Sequence, residues 1–239
     1  MEKLKHKILD FFKDLTFKEK EHQYLCNDLP LKISVSGLIK QYKHPVDWDS
    51  VLKNTAKRRG TTIEEVSQEW KKAAEIGCER GNKAHIFGEF YALDRTLEPK
   101  TGYDRAIMKF WDDLPEHVVP LILEVKMYHK QYMFAGTADI LLYNTKNGNL
   151  YLGDYKTNGD LFKNFASQKM VEPFEDLLCC SFNHYQLQLS YYQILLEQIP
   201  GVKISGRKLI WIKEDGTYLL YNTEDYTEIL KQELKTKKI

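Results

Sequence analysis

The stretch at residues 134–157, FAGTADILLYNTKNGNLYLGDYKT, limits what this chain can fold into more than any other. Two apolar runs flank Asn147-Gly148, the dipeptide that most strongly signals a two-residue hairpin turn. The pattern predicts two antiparallel strands. Yet these strands carry Asp139, Asp154 and Lys156, and a half-buried hairpin tolerates charge poorly. A turn centred on Asn147-Gly148 pairs Lys146 with Asn149. Counting outward, it sets Asp139 opposite Lys156 and Leu141 opposite Asp154. Opposed residues share a face, as do residues two apart on one strand, so the three charged groups converge. A four-residue loop keeps that parity, whereas a three-residue loop with a bulge breaks it.

Convergence of this kind has two explanations. One is a cross-strand ion pair between Asp139 and Lys156 that does no chemistry. The other starts from the second acid. Two carboxylates a few ångströms apart repel each other strongly in a partly buried site. A divalent cation relieves that repulsion, and hard oxygen ligands suit Mg²⁺ or Mn²⁺. A lysine beside such an ion holds or deprotonates a water, or stabilises charge on a reacting phosphate. Together these are the groups needed for metal-assisted phosphodiester hydrolysis.

Around the hairpin the pattern alternates between helix and strand. Residues 1–14 read as a short amphipathic helix, residues 16–34 as short strands, and SVSGLIKQY as a short helix capped by Ser34 or Ser36. Residues 61–92 read as two helices, opening in a TTIEE capping box and broken near Gly77 or Gly81. Residues 102–114 form another helix, and strands begin at Val118. A loop-rich segment at 158–180 precedes the strongest helix, SFNHYQLQLSYYQILLEQI, and then come GRKLIWIKE and TYLLYN as a hairpin and a charged helical tail. No linker or repeat divides the chain. The expectation is one α/β domain over residues 1–239, with helices packed on a mixed central sheet.

Composition removes several classes. Of the 239 residues 43% are hydrophobic, enough for a core that needs neither metal nor disulfide to fold. Cys26, Cys78, Cys179 and Cys180 form no C-x-x-C pair and read as reduced thiols of a cytoplasmic protein. No apolar run approaches the roughly 18 residues of a membrane span, and the N-terminus lacks a secretory pattern. Net charge is +1, so no global basic field advertises nucleic acid. A local groove can still be basic, and Lys57, Arg58 and Arg59 in KNTAKRRG are a cluster that suits either DNA or plain solvation.

At GTAD (residues 136–139) and DYK (residues 154–156) the sequence resembles the PD-(D/E)xK nuclease superfamily. More narrowly it resembles the RecB-type exonuclease branch, which includes phage exonucleases and the mitochondrial genome-maintenance exonuclease. The branch carries G-x-x-D on one strand and D-x-K on the next. It also has an upstream G-x-x-x-H helix, here GNKAH ending at His85, and a downstream Q-x-x-x-Y helix, here QLSYY with Gln188 and Tyr192. The resemblance covers roughly residues 16–222, and the cysteine ligands of the iron–sulfur members are missing.

The resemblance implies a restriction-endonuclease-like core. Asp139, Asp154, the Tyr155 carbonyl and His85 would hold Mg²⁺ or Mn²⁺, Lys156 would be catalytic, and Gln188 and Tyr192 would complete the catalytic set. Thr157, which follows the D-x-K motif, joins Lys57, Arg58 and Arg59 as an expected DNA contact. Glu124 stands where such proteins often carry an acid, and for it and for Glu89 a structural role stays open. A helical wheel separates Gln188 from its rival Gln186: Gln186, Ser190, Gln193 and Glu197 form a polar stripe suited to solvent. Gln188 lies instead among Tyr185, Leu189, Tyr192 and Leu195 and needs a polar partner.

The function so implied is a metal-dependent exonuclease acting on free DNA ends in replication, recombination or repair, in a bacterial or phage-infected cell. Replication or recombination proteins are its expected partners, and no membrane is. A structure- or site-specific endonuclease and a non-catalytic DNA-binding module are the alternatives. No G-x-x-x-x-G-K-[ST] loop or helicase motor is present, so processivity would come from a partner or a ring. Loop aromatics Phe162, Phe165 and Phe174 are free to stack on bases or to fill the core.

Overall fold

The computed structural model describes residues 1–19, 21 and 23–236. Helix α1 (Glu2–Phe11) leads into strands β1 (Leu15–Lys18), β2 (Gln23–Cys26) and β3 (Leu29–Pro30), a small antiparallel sheet. After β4 (Ile33–Ser34), the Ser34 hydroxyl accepts the Gly37 amide (3.2 Å) and starts α2 (Val35–Lys40), which decides between the two expected caps. Helix α3 (Trp48–Arg59) is absent from the sequence reading. It begins on an Asp47 cap and ends on Gly60 at φ 65.

The expected break in the next segment does not occur. Helix α4 (Ile63–Leu93) runs unbroken for 31 residues from the Thr62–Glu65 capping box. An interior glycine costs only about 1 kcal/mol relative to alanine. Burial of Ala84, Gly88, Tyr91 and Ala92 in the second half outweighs Gly77 and Gly81. Then come α5 (Gly102–Asp112), β5 (Val118–Tyr128), β6 (Phe134–Asn144), β7 (Leu150–Lys156), α6 (Ser181–Glu197), β8 (Ile204–Ile212), β9 (Tyr218–Asn222) and α7 (Thr227–Thr236).

The main sheet is mixed and six-stranded, in the order β4-β6-β7-β8-β9 with β5 also on β6. The β5–β6, β6–β7 and β8–β9 pairs are antiparallel, while β4–β6 and β7–β8 are parallel. Helices cover both faces. Ile8, Val35, Leu38, Leu187 and Leu230 pack with Leu141 and Leu152 on one side. Ala84, Tyr91, Ile107 and Phe110 pack with Ile140, Tyr155 and Ile210 on the other. The fold is therefore an α/β sandwich of a mixed sheet between helical layers, as expected. Among the described residues no helix is long and apolar enough to cross a membrane.

The hairpin register differs from the expected one. Tyr143 pairs with Leu150 and Ile140 with Gly153, so residues 145–148 make a four-residue loop with Gly148 at φ 78. Local bonds select the longer loop: the Asn144 side chain accepts the Lys146 amide (2.9 Å) and its carbonyl accepts the Gly148 amide (2.8 Å). Extending the register sets Asp139 opposite Asp154 rather than Lys156. The parity is unchanged, so the shared face survives.

The polar stripe of α6 is also not where the wheel placed it. Gln186 and Gln193 are buried rather than solvated. The segment joining β9 to α7 crosses this stripe with amides that lack sheet partners, and the stripe satisfies them. Gln186 Oε1 accepts the Glu224 amide (2.8 Å) and Ser190 Oγ the Tyr226 amide (3.2 Å), while Gln193 bonds Arg207.

Candidate active site

The site opens where β7 leaves β6. Pairing of the two ends at Ile140–Gly153, and β4 takes up the same edge of β6 again at Phe134 and Ala135. Residues 136–139 lie in the gap between. The Tyr155 amide has lost its β6 carbonyl there, and Asp139 Oδ2 accepts it instead (2.8 Å). Asp139 and Asp154 are both buried.

Two further elements close on this gap. Glu124 of β5 falls opposite Asp139 by register and adopts φ 48, a left-handed conformation that costs a non-glycine residue about 1–3 kcal/mol. Its side chain thereby joins the cluster: His85 Nδ1 of α4 lies 3.2 Å from Asp139 Oδ2 and 3.9 Å from Glu124 Oε1. One donor atom from each of His85, Glu124 and Asp139 can be chosen within 4.8 Å of the others. The missing side chain at Gly88 lets α4 come this close, since a Cβ there would stand 2.6 Å from Cε2 of Tyr155.

From the other side α6 brings Tyr185, Gln188 and Tyr192. The Lys156 ammonium is ion-paired with Asp154 and sits 4.4 Å from the centre of the Tyr185 ring. Tyr192 is buried against Gly136, where a Cβ would stand 2.7 Å from its ring, so the glycine of G-x-x-D makes room for the tyrosine of Q-x-x-x-Y. Gln188 donates to the Tyr192 hydroxyl (2.8 Å), and its Oε1 is buried without a hydrogen-bond partner. Gln188 does not contact Lys156 directly. Tyr185 stands between their roles, with its hydroxyl donating to Asn158 Oδ1 (2.9 Å).

The acids outnumber the fixed positive charges. Burial and the neighbouring Asp139 push the Asp154 carboxyl up to about 6, against the pull of Lys156. Burial also raises Glu124, with Asp139 and Glu89 adding to it and His85 opposing. Asp139 is itself buried, yet His85, Lys156 and the Tyr155 amide together hold it below its ordinary range. Burial disfavours the His85 imidazolium, but Asp139 and Glu124 outweigh it and hold the ring up to about 10.

The residues fit a hard divalent ion. The group that can hold an ion is His85, Glu124 and Asp139, one buried carboxylate, one half-buried and an imidazole; Asp154 lies outside it, and the Gln188 Oε1 is a buried acceptor left without a donor. His85, Asp139 and Glu124 would hold the Mg²⁺ or Mn²⁺, with Asp154 and the Tyr155 carbonyl, which follows it on β7, as the further expected ligands.

The structure brings Asp139, Asp154, Tyr155, Lys156, His85, Gln188 and Tyr192 together. Thr157 is buried beside Gly81, whose absent Cβ would lie 3.9 Å from the threonine hydroxyl. Lys57, Arg58 and Arg59 stand apart: they end α3 in solvent, and Arg59 is tied to Glu69 (2.9 Å), about 24 Å along α4 from His85 at 1.5 Å per residue. Sequence reasoning left out Tyr185 and left Glu124 open. The acid that interrupts the mostly apolar strand LILEVKMY was the available signal for Glu124. Of the three loop aromatics, Phe174 is core, while Phe162 and Phe165 are exposed. No family model matches the sequence, and no curated protein matches it.

Proposed function

We propose that this protein is a divalent-metal-dependent deoxyribonuclease of the PD-(D/E)xK superfamily, RecB-type branch, that hydrolyses DNA from free ends. The observation that carries the reading is the convergence of His85, Glu124 and Asp139 beside an Asp154–Lys156 pair, from three strands and a helix, at one gap in the sheet. A structural ion pair needs one acid and one base. It does not need a second and third carboxylate, a left-handed Glu124 and a histidine.

When bound, Mg²⁺ would polarise the scissile phosphate and neutralise the charge that builds on it. The protein's own groups do the rest. Lys156, held by Asp154 and the Tyr185 ring, presents a fixed ammonium to a phosphate oxygen. Asp139 is oriented by the Tyr155 amide, which leaves its second oxygen for the ion. Gln188 and Tyr192, bonded to each other, wall the site from the α6 side. The reading places the enzyme in replication, recombination or repair in the cytoplasm of a bacterial or phage-infected cell, with processivity supplied by partner proteins.

Labelled linear duplex and covalently closed circular DNA, each incubated with Mg²⁺, test it. The expected result is loss of the linear substrate alone. Cleavage of circles would make the enzyme an endonuclease, and survival of both, with binding, would make it a non-catalytic module.

A further inference from the structure

Four aromatic rings meet on the sheet face that carries Lys156. In the β7–β8 register Trp211 is the direct neighbour of Lys156, and in β8–β9 Tyr221 pairs with Leu209, so both project from that face. Phe162 and Phe182 complete the group: Phe162 lies 5.0 Å from Phe182 and 5.5 Å from Tyr221 between ring centres, and Trp211 lies 6.3 Å from Tyr221. The group is not closed over. Phe162 is 46% exposed, although the loop holding it is well fixed. Asp160 Oδ1 accepts the Phe162 and Lys163 amides (2.8 and 3.1 Å), and the Leu161 carbonyl accepts the Phe182 amide (2.8 Å).

A cavity of about 370 Å³ joins this face to the residues that follow Lys156. It is lined by Thr157, Asn158, Trp211 and Lys213, and also by the acids Glu214 and Asp215. Trp211 is held there by its Nε1 donating to the Asn158 carbonyl (2.7 Å), and the Lys213 ammonium lies 4.5 Å from its ring centre.

We propose that Phe162, Phe182, Trp211 and Tyr221 form a platform on which unpaired bases of single-stranded DNA stack as the strand meets the metal centre. The inference deepens the nuclease reading and rests on it for the nature of the polymer. Rings offer a π-face to any base, so the platform takes a single strand without regard to sequence, while the exposed Lys163 that follows Phe162 and Lys213 over the Trp211 ring suit the backbone phosphates. A duplex keeps its bases stacked inside and gains nothing here. A protein partner or a second copy of this chain is the competing occupant.

Fluorescence anisotropy in EDTA separates these, because binding is then read without cleavage. The probes are a labelled oligo-dT and a duplex of the same length. The full chain is expected to prefer the single strand. Phe162→Leu keeps apolar volume against Phe182 and Tyr221 but removes the π-face, and should weaken single-strand binding about five- to a hundredfold. Phe162→Tyr should retain it, and duplex binding should stay the same in both.

Unchanged single-strand affinity in Phe162→Leu would overturn the platform. So would a dimer seen by sedimentation that Phe162→Leu dissolves, since that gives the face to a second copy. Single-strand binding that depends on Phe162 in a protein that cleaves nothing with Mg²⁺ would leave the platform standing and remove the nuclease. Cleavage with a silent Phe162→Leu would do the reverse.

Discussion

Asp154 is the residue at which function and stability diverge. Its carboxyl is held up to about 6 by burial and by Asp139, so the folded chain binds this proton more tightly than the unfolded one does. Stability from this group therefore falls as pH rises from the ordinary carboxylate range through about 6, and the loss is complete above that. Asparagine has no proton to lose. Asp154→Asn should melt at a higher temperature than wild type at pH 8, with the gain vanishing near pH 4. Lower stability at pH 8 would mean that the Asp154–Lys156 pair is a structural salt bridge after all.

The two glutamines of α6 divide in the same way. Gln186 is a structural group that accepts the Glu224 amide, and Gln186→Ala should cost about 1–3 kcal/mol in denaturant unfolding. Gln188 lies beside the proposed site, and Gln188→Ala should slow single-turnover cleavage about 10–10³-fold while DNA affinity holds. The wheel set Gln188 with Tyr192, to which it donates, but misplaced Gln186 in solvent. Periodicity reports which residues share a stripe, and it does not report that the β9–α7 segment lies across that stripe.

Among the elements, the hairpin was the most legible. Alternation and turn residues put Asp139, Asp154 and Lys156 on one face without the exact register, because both even loop lengths share a parity. The register itself depended on hydrogen bonds of the Asn144 side chain and carbonyl, which the Asn147-Gly148 signal obscured. Helix α3 was missed because its few buried residues, Thr55 and Ala56, make no apolar stripe, although Asp47 and Gly60 mark its ends.

The unbroken α4 makes a prediction of its own. Gly88 lies against Tyr155, so Gly88→Ala should overpack that contact, cost about 1–3 kcal/mol and move His85 away from Asp139. The thermal shift produced by Mn²⁺ should shrink with it. Gly77 meets nothing closer than an Arg80 side-chain atom at 4.0 Å, and Gly77→Ala should instead stabilise by up to about 1 kcal/mol with the Mn²⁺ shift intact. Equal effects from the two alanines, read by calorimetry, would detach α4 from the proposed metal site.

At the scale of the whole molecule, the sheet interrupts its own pairing to make the site. β6 is paired along one edge by β5, while its other edge passes from β7 to β4 with a gap between. Into that gap α4 delivers a histidine and α6 a glutamine and a tyrosine, from opposite faces. The charges crowded there repel one another, and the proposed ion would relieve that repulsion. The most direct test is single-turnover hydrolysis of an end-labelled linear DNA by wild type and by Lys156→Ala, with Mg²⁺ and with EDTA, on proteins shown by melting to be folded. Cleavage by wild type with Mg²⁺ alone, and none by Lys156→Ala, is the predicted result. Undiminished cleavage by Lys156→Ala, or by wild type in EDTA, would contradict the account.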